Sequence, residues 1–540
     1  MLLTHLHRQS VLLTQRTSYA SASGVPLALR FNFTANAVVL ISPSLHLDDR
    51  TYRTNQDARK AFSPRALATL VLFLALALAA TGCEAVAALE NPSQPNIVII
   101  LTDDMRADEL EHMPKTQSLI VDQGLSFSNA FVTTSQCCPS RASILRGQYV
   151  HNHDVLSGIP PDGGFERFKE LGHEESTVAT WLDDAGYNTV LVGKYLNGYN
   201  DKYGAHVPRG WDEWYARLSA EYYRYNLSEN GTRVSYGSRP EDYLTDVETE
   251  KATDFINRSS ESSEPLFMYL ASNAPHTPYQ AAPRHENLFA EEKAPRPLSY
   301  DEADVGDKPA LVSDLASFDA RQQTNLDQTY RQRLQMLQAV DDMVEGVVNE
   351  LEATGRLENT YIFFTSDNGF LLGEHRVVEK KGLPYEESIR VPLAVRGPGI
   401  PAGSTTDRIG LNTDLAPTFA DLAKVTPPDF VDGRSLRPVF TSDPFSWRTA
   451  FLEEFFMGKK GYKAVRTTED KKYVEYSRTG EREFYDLATD PYELENRYQT
   501  ADAASVESLQ WRLSALALRS RLSVLEDCAG ETCRAAEDGL

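Results

Sequence analysis

The stretch NIVIILTDD, from Asn96 to Asp104, decides how this chain folds. Ile97 to Leu101 is an unbroken apolar run, preceded by a linker with Pro92 and Pro95 and followed by two acids. A strand with one wet face alternates apolar and polar residues; a strand covered on both faces does not, so this run predicts a buried strand of a parallel sheet. Comparable runs recur at Thr189 to Val192, Leu266 to Leu270, Tyr361 to Phe364 and Val391 to Val395, with helical segments such as Gln332 to Leu351 between them. Strands alternating with helices give the α/β class: a large mixed, mostly parallel sheet flanked by helices. Ligands bind such sheets beyond the carboxyl ends of the strands. Two of those ends carry Asp103-Asp104 and Asp367-Asn368.

Both pairs offer the oxygen ligands that hard divalent cations require. Neighbours on a strand point to opposite faces, so each pair shares one ion only where the strand has already ended. Acids after a strand more commonly serve as turn or capping residues. A third stretch raises these above that role: SQCCPSRASILRGQYVHNH, from Ser135 to His153. Proline favours the first helical position, so a helix is predicted to begin at Pro139, with Cys137 just outside its N-terminus. Free backbone N–H groups and the helix dipole favour an anion there. Arg141, close to one turn further on, can reach back toward the same spot. Cys138 reads as a small buried neighbour.

The 540 residues suffice for two or more domains. With 54 basic against 77 acidic residues, the net charge is −23, which argues against a nucleic-acid or anionic-membrane surface. The five cysteines are too few and too oddly spaced for a four-cysteine zinc site. Cys528 and Cys533, in EDCAGETCR, read as a local disulfide in an exported protein. Residues 1–57 show no sustained periodicity and stay unassigned. Residues 58–82 read as a signal segment: Arg59, Lys60 and Arg65 precede the apolar run Ala66 to Ala80, which is shorter than a membrane span. Its ending, AATGC, resembles a lipoprotein cleavage box that would leave Cys83 as a lipid-anchored first residue; simple secretion is the alternative. Either route predicts an exported protein, extracellular or at the cell surface. Residues 83–95 form a linker and residues 96–440 the catalytic domain. Residues 441–540 form a smaller C-terminal α+β domain, with short segments such as Lys471 to Tyr476 and a final helix, Ala504 to Leu525.

CCPSR matches the C-x-P-S-R signature of the sulfatases, and the other landmarks agree in order: ILTDD before it, then VGKYLNGY, APHTP, TSDNG, KGLPYEESIRVPL and FYDLATDPYELEN. From Asn96 to Asn496 the chain resembles the formylglycine-dependent sulfatases of the alkaline phosphatase superfamily. That resemblance implies an alkaline phosphatase-like fold and sulfate ester hydrolysis. Cys137 would be oxidised to formylglycine by a formylglycine-generating enzyme, and the aldehyde's hydrate would attack sulfur. One calcium or magnesium ion would be held by Asp103, Asp104, Cys137, Asp367 and Asn368. Arg141 would hold the hydrate, Lys194 and Lys381 would grip the sulfate, and His276 would assist at the ester oxygen. Lys380 is the alternative to Lys381, and His151, His153 and His375 are further candidates for lining the pocket.

Two departures matter. Leu196 stands where many sulfatases carry a histidine, and GKYLN is similar to N-acetylglucosamine-6-sulfatases and extracellular endosulfatases. Leu371 stands where related sequences often carry another histidine. The implied substrate is the 6-O-sulfate of N-acetylglucosamine in glycosaminoglycan-type sugars. The alternatives are a phosphonate or phosphate ester hydrolase of the same superfamily, an arylsulfatase, or a silent glycan-binding lipoprotein. The intact set of site residues argues against the last, because binding alone needs no nucleophile.

Overall fold

The computed structural model describes residues 94–442, 444, 446–456, 461–498 and 528–538. The N-terminal extension, the signal segment, Cys83, most of the linker and the helix expected over Ala504 to Leu525 lie outside the described residues.

Ten strands make the main sheet: β1 (Asn96–Thr102), β2 (Leu125–Phe127), β3 (Asn188–Gly193), β4 (Glu213–Arg217) and β5 (Asn226–Glu229), then β6 (Thr232–Ser235), β7 (Leu266–Ala271), β8 (Thr360–Ser366), β9 (Leu393–Arg396) and β10 (Ser404–Thr406). Their spatial order is β10-β2-β9-β8-β1-β7-β3-β4-β5-β6. The central five, β8, β1, β7, β3 and β4, are parallel neighbours. β9 joins β8 antiparallel, and β5 and β6 continue from β4 as an antiparallel ribbon. The sheet is therefore mixed, with a parallel centre.

Helices cover both faces, which is why β1 has no polar residue between Ile97 and Leu101. Ile97, Ile99 and Leu101 pack in one cluster with Ile144 and Leu145 of α1 (Cys137–Arg146). Val98 and Ile100 pack in another with Val247 and Phe255 of α2 (Leu244–Ser259) and Met336 and Val340 of α3 (Ala320–Ala353). Helix α4 (Leu415–Leu422) adds Leu415 and Phe419 to the first cluster. Asp319 caps α3, accepting from Gln322 N–H at 2.7 Å, and the helix runs beyond the predicted Gln332 to Leu351 at both ends.

Helix α1 starts two residues before the predicted position. Gln136 is extended, with φ −142° and ψ 129°, so Cys137 is the first helical residue and Pro139 the third. Proline is tolerated there because the first turn's N–H groups have no intrahelical acceptor in any case. Gly147, at φ +68°, ends the helix in the left-handed conformation that glycine adopts without penalty.

The C-terminal part is a four-stranded antiparallel sheet of β11 (Ala450–Phe455), β12 (Tyr462–Thr467), β13 (Lys471–Tyr476) and β14 (Arg482–Asp486). A short helix, α5 (Glu531–Glu537), carries Cys533, which is disulfide-bonded to Cys528 just before it. Glu537 of α5 is buried against Tyr149, Arg434 and Arg448.

Candidate active site

The carboxyl ends of the parallel strands converge on one site. β1 leads into Asp103 and Asp104, β8 into Asp367 and Asn368, β3 into Lys194, and β7 into the loop bearing His276. The first helical residue of α1, Cys137, meets them there. β1 ends at Thr102, and Asp104 adopts a left-handed backbone at φ +68°. Strand alternation is thereby broken, so both acids serve one site. The carboxylates of Asp103, Asp104 and Asp367 and the Cys137 sulfur lie within 4.8 Å of one another.

Three buried carboxylates repel one another unless cations intervene. Arg141 Nε donates to Asp367 Oδ2 at 2.7 Å, and its Nη1 donates to the Lys194 carbonyl at 2.9 Å. Lys194 pairs with Asp103, and Lys381 with both Asp104 and the Cys137 sulfur. His276 Nε2 lies 3.9 Å from Asp104 Oδ2, with its side chain 23% exposed. Burial alone would raise the Asp103 carboxyl, but Lys194, His276, Arg141 and Lys381 hold it well below the usual carboxylate range. Asp104 is also lowered: Lys381 and His276 overcome burial and the repulsion from Asp103. Asp367 moves the other way, raised by burial and Asp103 despite Arg141. Burial and the Asp103 charge push the Cys137 thiol up, against Lys194 and Lys381. Only the thiolate is a strong nucleophile, so Cys137 as a thiol is a poor one here.

The donor set fits one hard cation. Asp103, Asp104 and Asp367 supply carboxylate oxygens, and the buried Asn368 Oδ1 has no partner among the described residues, while its Nδ2 donates to Asp104 Oδ1 at 2.7 Å. Calcium and magnesium take such oxygen ligands. The Cys137 sulfur, 3.2 Å from Asp103 Oδ1, is the one soft atom in the set. An oxygen group in its place would match the others.

Lys381, not Lys380, enters the site. Lys380 is exposed, and its backbone exchanges hydrogen bonds with Leu371. Leu371 is buried among Val377, Leu383 and Tyr385, where it supports the turn that carries Lys381. Leu196 is a core residue. The three other candidate histidines point elsewhere. His151 is 2.7 Å from Glu454 Oε2 and 3.1 Å from the Cys528 carbonyl. His153 packs inside against Ser143 Oγ at 3.0 Å, and His375 is buried 2.7 Å from Glu302 Oε2. Sequence reasoning missed Tyr222, whose hydroxyl donates to the His276 carbonyl at 2.9 Å and so fixes that loop. It also missed Arg217, whose charge acts on Asp103 from the end of β4. Neither residue lies in a motif; only the adjacency of β4 and β3 places Arg217 here.

Comparison with known proteins agrees with this geometry. Residues 95–425 match the sulfatase family, and residues 373–519 match a family described as N-sulphoglucosamine sulphohydrolase, C-terminal. The extracellular sulfatase SULF-1 homolog of Drosophila melanogaster is 38% identical over 376 residues, or 68% of this chain and 33% of that protein. Against that protein and a Caenorhabditis elegans relative, the match spans only 33% and 51% of their lengths. The N-acetylglucosamine-6-sulfatase of Homo sapiens is 34% identical over 486 residues, or 82% of this chain and 86% of that protein. A protein solved in complex with its substrate D-glucosamine-2-N,6-O-disulfate superposes with a TM-score of 0.67 at 26% identity, covering 81% of this chain and 99% of that one. Motifs, fold and relatives lead to one conclusion: the chain belongs to the sulfatase family.

Proposed function

We propose that this protein hydrolyses sulfate esters of sugars, with the 6-O-sulfate of N-acetylglucosamine in glycosaminoglycan-type chains as its substrate. The observation that carries this reading is the meeting of Cys137, three buried carboxylates, Arg141, Lys194, Lys381 and His276 at one end of the sheet. The N-acetylglucosamine-6-sulfatase relatives and the glucosamine disulfate bound by the structural neighbour support the choice of sugar.

Cys137, oxidised to formylglycine by a formylglycine-generating enzyme, would supply a hydrated aldehyde as the nucleophile. Asp103, Asp104, Asp367, Asn368 and residue 137 would hold one Ca2+ or Mg2+ ion, which would supply Lewis acidity and lower the pKa of that nucleophile. This chain's own residues do the rest. Arg141, locked by Asp367 and the Lys194 carbonyl, fixes the orientation of residue 137 and offsets its charge. Lys194 and Lys381 bind the sulfate oxygens and stabilise the charge that builds there in the transition state. His276 Nδ1 is 2.5 Å from the Thr277 carbonyl. That contact keeps a proton on Nδ1 and presents Nε2 to the leaving oxygen as the atom that exchanges its proton. Export, either by simple secretion or with Cys83 as a lipid anchor at the cell surface, completes the reading.

The test is release of sulfate from N-acetylglucosamine 6-sulfate, measured beside an aryl sulfate and a phosphonate monoester. The sugar ester should be turned over best. Preference for the phosphonate would overturn the reading.

A further inference from the structure

Two amide side chains beside the site have no partners. Gln136 immediately precedes Cys137, and Asn197 follows Lys194 by three residues. Gln136 Oε1 and Asn197 Oδ1 are buried without hydrogen-bond partners, and neither NH2 group has one among the described residues. Gly158 lies between them. A Cβ built on Gly158 would stand 3.7 Å from Gln136 Nε2 and 3.7 Å from Asn197 Nδ2. The missing side chain leaves room for a small group to touch both amides at once. The two NH2 groups face one gap, so a single acceptor oxygen placed there could take a hydrogen bond from each.

The loop that carries Gly158 is tightly held. Gly164 N–H donates to the Ser157 carbonyl at 2.9 Å, Leu156 N–H to the Asp162 carbonyl at 2.7 Å, and Phe165 N–H to the Asn197 carbonyl at 2.7 Å. Ser157 Oγ donates to the Ile159 carbonyl at 2.8 Å. The tip of this loop nonetheless holds Ile159 in water, 65% exposed, next to the exposed Pro160 and Pro161.

We infer that Gln136 and Asn197 form a recognition subsite for the acetamido group of the sugar that carries the sulfate ester. The inference rests on the sulfatase reading above. Gln136 Nε2 and Asn197 Nδ2 both donate toward the gap, so the pair matches the carbonyl oxygen of an acetamido group, which can accept from both.

The experiment compares kcat/KM for N-acetylglucosamine 6-sulfate with that for 4-nitrophenyl sulfate, which has no acetamido group, in the full-length matured enzyme. Gln136→Ala, Asn197→Ala and Gly158→Leu should each lower the ratio of sugar to aryl turnover by about tenfold or more. Gly158 is not in the left-handed region, so its side chain tests filling of the gap without backbone strain. An unchanged ratio in all three variants, or equal loss on both esters, would overturn the subsite. Turnover of neither ester by the unaltered enzyme would instead overturn the sulfatase reading itself.

Discussion

Arg141 Nε donates to Asp367 Oδ2 across 2.7 Å, and neither side chain has any exposed surface. Their elements are far apart in sequence: Arg141 lies on α1, whereas Asp367 follows β8. The pair therefore couples the position of Cys137 to the carboxylate cluster. Removing one member of a buried ion pair leaves an uncompensated charge. Arg141→Ala should cost about 3 kcal/mol or more of stability in urea unfolding and abolish sulfate release. Unfolding unchanged from the parent would show that the pair contributes nothing.

Cys137→Ala should abolish turnover, because no other group at the site can become the nucleophile. Cys138→Ala should retain most of it, since Cys138 is a free, buried thiol packed in the apolar cluster beneath the sheet. Mass spectrometry of the matured protein should find the Cys137 peptide with a carbonyl oxygen in place of the thiol. Full activity with an intact thiol would refute the proposed nucleophile.

Lys381 touches Asp104 and Cys137, whereas its neighbour Lys380 is exposed. Lys381→Ala should lower kcat/KM by about 100-fold or more, the scale for losing one donor to a developing anion. Lys380→Ala should change it by less than about twofold, as befits a surface residue. Equal effects would reverse the assignment.

Glu453 is buried in β11, and neither of its carboxylate oxygens has a partner among the described residues. Burial pushes its carboxyl up to about 8, against the pull of Lys472 and with a contribution from Glu386. The folded protein thus keeps a proton that the unfolded chain releases near 4.5. Stability from this group falls as pH rises from there toward 8 and levels off above, with a slope of up to about 1.4 kcal/mol per pH unit. Glu453→Gln should flatten that slope, so the variant's Tm advantage over the parent should grow between about pH 5 and pH 8. Parallel Tm curves would rule out this titration.

Much of the core was legible because burial on both faces leaves a plain mark, as in Ile97 to Leu101. The direction of a strand leaves none. Leu393–Arg396 reads like its neighbours yet runs antiparallel to β8, a matter of chain path rather than composition. The acids and cations of the site were legible through spacing within motifs. His151, His153 and His375 lie close to those motifs in sequence, but they turn toward Glu454, Ser143 and Glu302. Proximity along the chain does not fix the direction of a side chain. Gln136, Asn197 and Arg217 went unremarked for the opposite reason, since uncharged amides and a lone arginine gain meaning only from what surrounds them in space.

The burial of α1 also sets an order of events in time. Cys137 is 3% exposed, and Pro139, Ser140 and Arg141 are buried with it beneath the folded chain. An enzyme that must bind this segment and oxidise its first cysteine can reach it only while the chain is still open. On the proposed mechanism, maturation would therefore precede folding, and a molecule that folded first would keep its thiol and stay inactive.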